Sequence, residues 1–151
     1  MSNTGPILAL VQIPADLLPA IEGNFGRVWS GRVEQVDQVA DGPTAPSLSI
    51  VAGSEADVLR IAHAHDERAP GAVFVAVTDS ARKIRRRKGG LPRNIAWAVA
   101  HEELQDARLL GVTLRYALEV AARRRLERDL SQLGALAEVG TVAAATAHEI
   151  G

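Results

Sequence analysis

The sequence predicts an α/β protein: a small, doubly wound and mainly parallel sheet of about five strands, followed by one long C-terminal helix. Three observations predict it. Four apolar runs of strand length are spread through the first hundred residues, amphipathic stretches separate them, and everything after about residue 103 is free of proline. Runs that are apolar on both alternating faces are buried on both sides, the signature of a parallel sheet covered by helices.

Taken in order, the strand candidates are residues 7–13 (ILALVQI), 48–52 (LSIVA), 72–77 (AVFVAV) and 95–100 (IAWAVA). A fifth, weaker strand is expected near residues 27–30. Pro14 precedes a helix candidate at residues 16–21. Residues 32–40 carry Val33, Val36 and Val39, a pattern that fits either a helix or an edge strand. The clearest helix is 55–68, with Ser54 as N-cap, Asp57 three residues on, Val58, Leu59 and Ala62 on one face, and Pro70-Gly71 as the stop. About five strands alternating with helices in roughly 100 residues make a doubly wound sheet.

Glu103 to Ile150 reads as one helix, interrupted only by Gly111, Gly134 and Gly140. About 48 residues at 1.5 Å each reach on the order of 70 Å, more than a small domain spans, so the helix needs a partner. Leu114, Leu118, Ala122, Leu126 and Leu130 step by four; Leu133, Ala137, Gly140, Ala144 and Ala147 alternate three and four. The second set is a heptad seam and the first drifts like a stutter, so a homodimeric coiled coil is expected in preference to a helix folded back on its own domain.

Composition excludes other classes. The 151 residues contain no cysteine, so disulfides, thiolate metal sites and thiol nucleophiles are ruled out. No apolar run approaches the roughly 18 residues of a membrane span, and the first residues lack the basic region of a signal peptide. A cytoplasmic, soluble chain is expected. Aromatic residues are only 3%, so Ala, Val, Leu and Ile must build the core.

The tail Leu136-Ala137-Glu138-Val139-Gly140-Thr141-Val142-Ala143-Ala144-Ala145-Thr146-Ala147-His148-Glu149-Ile150-Gly151 resembles the phosphoacceptor box of sensor histidine kinases. In that family the stretch continues into Asn-Pro-Leu. The dipeptide His-Glu alone means little, since His101-Glu102 repeats it; the match over about 16 residues on a helical stem is what is specific. The resemblance implies that His148 is the phosphoacceptor and that Glu149 orients its ring and acts as general base. The chemistry is reasonable: an imidazole, with an ordinary pKa of about 6.5, offers a neutral nitrogen nucleophile near neutral pH, and a carboxylate on its other nitrogen fixes the tautomer and stabilises the developing imidazolium. His148 lies one residue past the seam, about 100° around the helix, where a partner can reach it.

The resemblance also implies a separate ATP-binding domain, and with it ATP and Mg²⁺; the 151 residues hold no Asn-rich and Gly-rich boxes, so this chain alone is expected to be inactive and to need no cofactor. Gly89-Gly90 is not in a P-loop context. The implied partners are a second copy of the chain and the receiver domain of a cognate response regulator.

The first hundred residues are similar to a receiver domain, with Thr78 ending a strand and the join Leu110 to Glu119 leading into a basic stem. Receivers carry an acidic pair after the first strand, an acceptor aspartate after the third and a lysine after the fifth. Here Gln12-Ile13-Pro14, Ala52-Gly53 and Ala100-His101 take those places, and Asp16 and Asp79 are the nearest carboxylates. No Mg²⁺ site is expected. Residues 1–104 therefore read as a degenerate, receiver-like input domain and 105–151 as a signalling helix ending in the phosphoacceptor box.

Arg82, Lys83, Arg85, Arg86, Arg87 and Lys88 concentrate six cations in a chain of net charge −1. Nucleic acid or anionic lipid would suit them, but with no interleaved aromatics a solvated, mobile loop is expected and nucleic acid is not. His63 and His65 are two apart on a helix and point in different directions, so a metal shared between them is not expected. Trp29 and Trp97 read as core or interface residues. The expected function is the sensory N-terminal part of a two-component histidine kinase; the alternative is a non-catalytic scaffold whose coiled coil assembles signalling partners.

Overall fold

The computed structural model describes the backbone of residues 5–150 and the side chains of residues 5–134 other than Pro43. Five strands, β1 (Ile7–Val11), β2 (Arg32–Val36), β3 (Leu48–Ala52), β4 (Phe74–Val77) and β5 (Ile95–Val99), form one sheet in the order β2-β1-β3-β4-β5. Every pairing is parallel. Four helices accompany them: α1 (Leu18–Val28), α2 (Glu55–Arg68), α3 (Ala81–Arg85) and α4 (Ala107–Ile150). This is the flavodoxin-like order, in which the chain reverses direction across the sheet beside β1.

Strand alternation divides the core in two. Leu8, Leu10, Ile50, Val75 and Val77 face Ile21 and Phe25 of α1 and Leu110, Leu114, Ala117 and Ala121 of α4. Ala9, Val11, Val51, Phe74 and Ala76 face Val58, Ile61 and Ala62 of α2 and Ala81 and Ile84 of α3. All residues of β3 and β4 are buried, as both-faced apolar runs require, whereas β2 at the edge is exposed or half-buried throughout. A register shift between Phe74 and Val75 sets Ile95 opposite the first and Trp97 opposite the second.

Four of the expected strands are present, with β1 ending at Val11 and β4 beginning at Phe74. The strand expected at 27–30 is a correction: Arg27 and Val28 close α1, and Trp29 caps it with its N–H to the Phe25 carbonyl at 2.9 Å. Ile21, Phe25 and Trp29 recur every four residues, a helical stripe that is fully or almost fully buried. The fifth strand is instead Arg32–Val36, one of the two readings left open for that stretch. Val39 lies beyond it in the crossover to β3, buried and donating its N–H to Nε2 of His65 at 3.2 Å.

Helix α2 has the expected bounds, and Ser54 Oγ accepts from the Asp57 N–H at 3.2 Å. Helix α4 starts later than Glu103. Residues His101–Gln105 form a 3-10 turn, pinned where Glu103 Oε1 accepts the Ala100 N–H at 2.8 Å. Asp106 then caps α4, its Oδ1 accepting from the Leu109 N–H at 3.1 Å. The helix holds 44 residues, about 66 Å of rise.

Two compact units are present, Met1–Ala121 and Ala122–Gly151. The first ends well beyond residue 104 because Leu110, Leu114, Ala117 and Ala121, spaced four, three and four, cover one face of the sheet and are at most 3% exposed. Leu114 therefore belongs to the core of its own domain, and the expected seam is corrected at that end. In the second unit Leu126, Leu130 and Leu133 are 58%, 58% and 60% exposed. Among the described residues no helix is long and apolar enough to cross a membrane.

Candidate functional site

In open parallel sheets ligands bind outside the carboxyl ends of the strands. At β1 that end is Gln12, which adopts a left-handed φ of 50°, takes the Val36 carbonyl at 3.1 Å with its N–H and reaches the Asp37 carbonyl at 2.9 Å with its side chain. At β3 it is Gly53, whose φ of 137° a side chain tolerates poorly; a Cβ would also lie 3.2 Å from the Asp57 side chain. At β4 it is Thr78, fully buried, and after β5 it is His101. Gln12 and Gly53, neither of them a carboxylate, thus follow the ends of β1 and β3.

Asp79 lies next to Thr78, with Oδ1 2.6 Å from Nδ1 of His101. The other ring nitrogen, Nε2, is buried without a hydrogen-bond partner. Asp79 is the member of the pair that faces solvent. The arrangement orients the imidazole from one side. Among the described residues no group of three or more His, Cys, Asp or Glu is placed to hold a metal.

Beside this edge the basic run departs from expectation. Residues 81–85 are not a solvated loop but helix α3, docked through Ala81 and Ile84, both fully buried. Arg85 reaches across the sheet edge: it meets both oxygens of Glu103 at 3.1 and 3.4 Å, donates to the Ala98 carbonyl at 3.3 Å and lies 5.3 Å from the centre of the Trp97 ring. Both charged groups are less than a fifth exposed. Arg82 pairs with Glu102 at 3.5 Å and Lys83 with Glu55 at 3.4 Å, both in more open settings. Arg86, Arg87 and Lys88 are exposed, and Gly89 and Gly90 follow with φ of 94° and 83°. Sequence reasoning missed these pairs because their carboxylates come from residues 55, 102 and 103, which only the sheet order brings alongside.

His65 is a structural histidine. It is 2% exposed, its Nδ1 lies 2.8 Å from the Ile61 carbonyl, its Nε2 accepts from Val39, and its ring meets Phe74 edge-on. That pattern fixes the tautomer with the proton on Nδ1. His63 is exposed, so the two rings diverge as their spacing requires. Trp29 is 8% exposed, with its indole N–H on the Pro6 carbonyl at 3.1 Å, and Trp97 is half-buried under Arg85.

The segment that resembles a phosphoacceptor box lies on α4, whose helical backbone continues to Ile150. The side chains of His148 and Glu149 lie outside the described residues.

Fold and edge together define an open, all-parallel doubly wound α/β domain of flavodoxin-like order, extended by a long helix. No protein-family profile and no curated protein matches the chain. Among solved structures it is similar to a protein of Burkholderia pseudomallei K96243 described as pilus assembly-related, with 16% identity and a TM-score of 0.55 over 80% of this chain and 94% of that one. A fragment from Peptoclostridium difficile 630 described as a lipoprotein gives 13% identity and a TM-score of 0.47, covering 74% and 98%. At such identity the first likeness concerns the fold alone.

Proposed function

We propose that this chain is the input and phosphoacceptor region of a two-component histidine kinase. The observation that carries the reading is the continuity of α4. One unbroken helix begins at the Asp106 cap, contributes Leu110, Leu114, Ala117 and Ala121 to the core of the receiver-like domain, and runs on to the segment that resembles the phosphoacceptor box. A change of packing in the domain core is thereby delivered to the helix that bears His148. The exposed Leu126, Leu130 and Leu133 suit a homodimeric coiled coil, the form in which paired helices of this family act.

In this reading a ring nitrogen of His148 attacks the γ-phosphorus of ATP; the P–N bond forms as the bond to the ADP oxygen breaks. Glu149 holds the proton on the other ring nitrogen and stabilises the imidazolium. The phosphoryl group then passes to an aspartate of a cognate receiver. The ATP-binding domain is not among these 151 residues, and the working protein is cytoplasmic.

The test supplies a histidine-kinase ATP-binding domain in trans with labelled ATP and Mg²⁺. An acid-labile label is expected on the chain and is abolished by His148→Gln. Label persisting in that variant refutes the site; absence of any label with a domain proven active on another phosphoacceptor helix favours the scaffold.

A further inference from the structure

Basic residues on and just after α3 line a concavity of 610 Å³ between α3 and the first turn of α2, bounded by Glu55, Arg82, Lys83, Arg86 and Arg87. We infer that this concavity is a binding site for a small ligand carrying several phosphate groups, of the tripolyphosphate class.

Charge is the first argument. The lining holds four cations and one carboxylate, a surplus of three positive charges, on a chain that outside residues 82–88 has eleven basic against eighteen acidic residues. Arg86 and Arg87 meet no carboxylate among the described residues. The pairs of Arg82 with Glu102 and of Lys83 with Glu55 are long, and at least one side chain in each is more than half exposed, so they contribute little and yield readily. Arginine forks match phosphate oxygens two at a time. The four cations outnumber the Glu55 carboxylate, so the net attraction grows with the charge of the ligand and a polyphosphate gains more than a monophosphate.

Place is the second argument. Helix α2 follows the end of β3 and α3 follows the end of β4, so the concavity opens at the carboxyl side of the sheet, beside rather than at the switch point between β1 and β3. Shape is the third. The volume falls within the roughly 300 to 1,000 Å³ of small-molecule sites. The lining has no aromatic ring to stack on bases and no apolar side chain to enter a bilayer, which disfavours nucleic acid and lipid.

The experiment is calorimetric titration of the full chain with inorganic tripolyphosphate and, separately, orthophosphate. Tripolyphosphate is expected to bind about tenfold or more tightly than orthophosphate, and the double variant Arg86→Ala/Arg87→Ala is expected to lose about tenfold or more. Both arginines are exposed, so the variant folds, as circular dichroism will register. The control Arg27→Ala/Arg108→Ala removes two exposed charges elsewhere and leaves affinity unchanged. Equal affinity for the two anions, or an unaltered Arg86→Ala/Arg87→Ala variant, overturns the site. So does binding of phosphatidylserine vesicles or of a 20-nucleotide DNA strand by a chain that ignores tripolyphosphate, since the cations then serve an extended surface. None of these readings depends on phosphorylation of His148.

Discussion

Leu114 and Leu126 occupy the same apolar series on α4 and should respond oppositely to truncation. Leu114 is 3% exposed and packs in the core beside Leu110 and Ala117; Leu126 is 58% exposed. Leu114→Ala removes three buried carbons, worth roughly 2.4 kcal/mol at about 0.8 kcal/mol each. The closely packed helix above the sheet relaxes little, and the resulting cavity raises the cost to about 3 to 4 kcal/mol. For a single chain, Leu126→Ala removes atoms that water already touches and costs less than about 1 kcal/mol. Urea unfolding, followed by far-UV circular dichroism at two protein concentrations a hundredfold apart, separates the cases. The Leu114 variant should lose its midpoint equally at both concentrations. The Leu126 variant should lose only whatever stability rises with concentration, because in the proposed dimer its partner is another copy. Equal losses at the two positions, both dependent on concentration, would sink the assignment of residues 107–121 to the domain core.

Other substitutions probe the rest of the fold. Arg85→Ala should cost about 2 to 3 kcal/mol in denaturant midpoint, since it strands the largely buried Glu103 carboxylate that also pins the turn before α4; a double-mutant cycle with Glu103→Ala should show coupling above about 1 kcal/mol, and additivity would deny the contact. Gly31→Ala places a Cβ 1.9 Å from the Pro6 carbonyl oxygen, so about 3 kcal/mol or more of destabilisation is expected by thermal unfolding, and a neutral result would contradict the close approach of Gly31, just before β2, to Pro6. His65→Ala leaves the Val39 N–H buried without an acceptor and should cost about 2 to 3 kcal/mol, with amide exchange at Val39 accelerating first. Ser54→Ala should lower stability by about 1 kcal/mol through the lost cap on α2, with no effect on oligomeric state.

The amino-acid sequence by itself determined the strands β1, β3, β4 and β5, the whole of α2 with its Ser54 cap, and the long run of α4. Each is written locally: both-faced apolar runs make buried parallel strands, and a cap followed by a 3.6-residue stripe makes a helix. It also carries the resemblance on which His148 and Glu149 rest. Less was legible where local signals tie. Residues 32–40 suited helix or strand equally, and the open edge of β1 settled the matter by pairing Val33 with Leu8 and Gln35 with Leu10.

Tertiary structure alone decided three further things. Whether a helical leucine faces its own sheet or a partner depends on what surrounds the helix, not on its spacing; Leu114 and Leu126 share a stripe, yet one is buried and the other exposed. The 3-10 turn before α4 exists because Arg85 and the Ala100 N–H both meet Glu103. And the basic run divides into paired and unpaired charges only because the order β3-β4-β5 sets α2, α3 and the segment after β5 side by side, bringing Glu55, Glu102 and Glu103 to cations far from them in the chain. Periodicity and capping act over a few residues and can be read along the chain; charge pairing and burial act through space, and the sheet order supplies the distances.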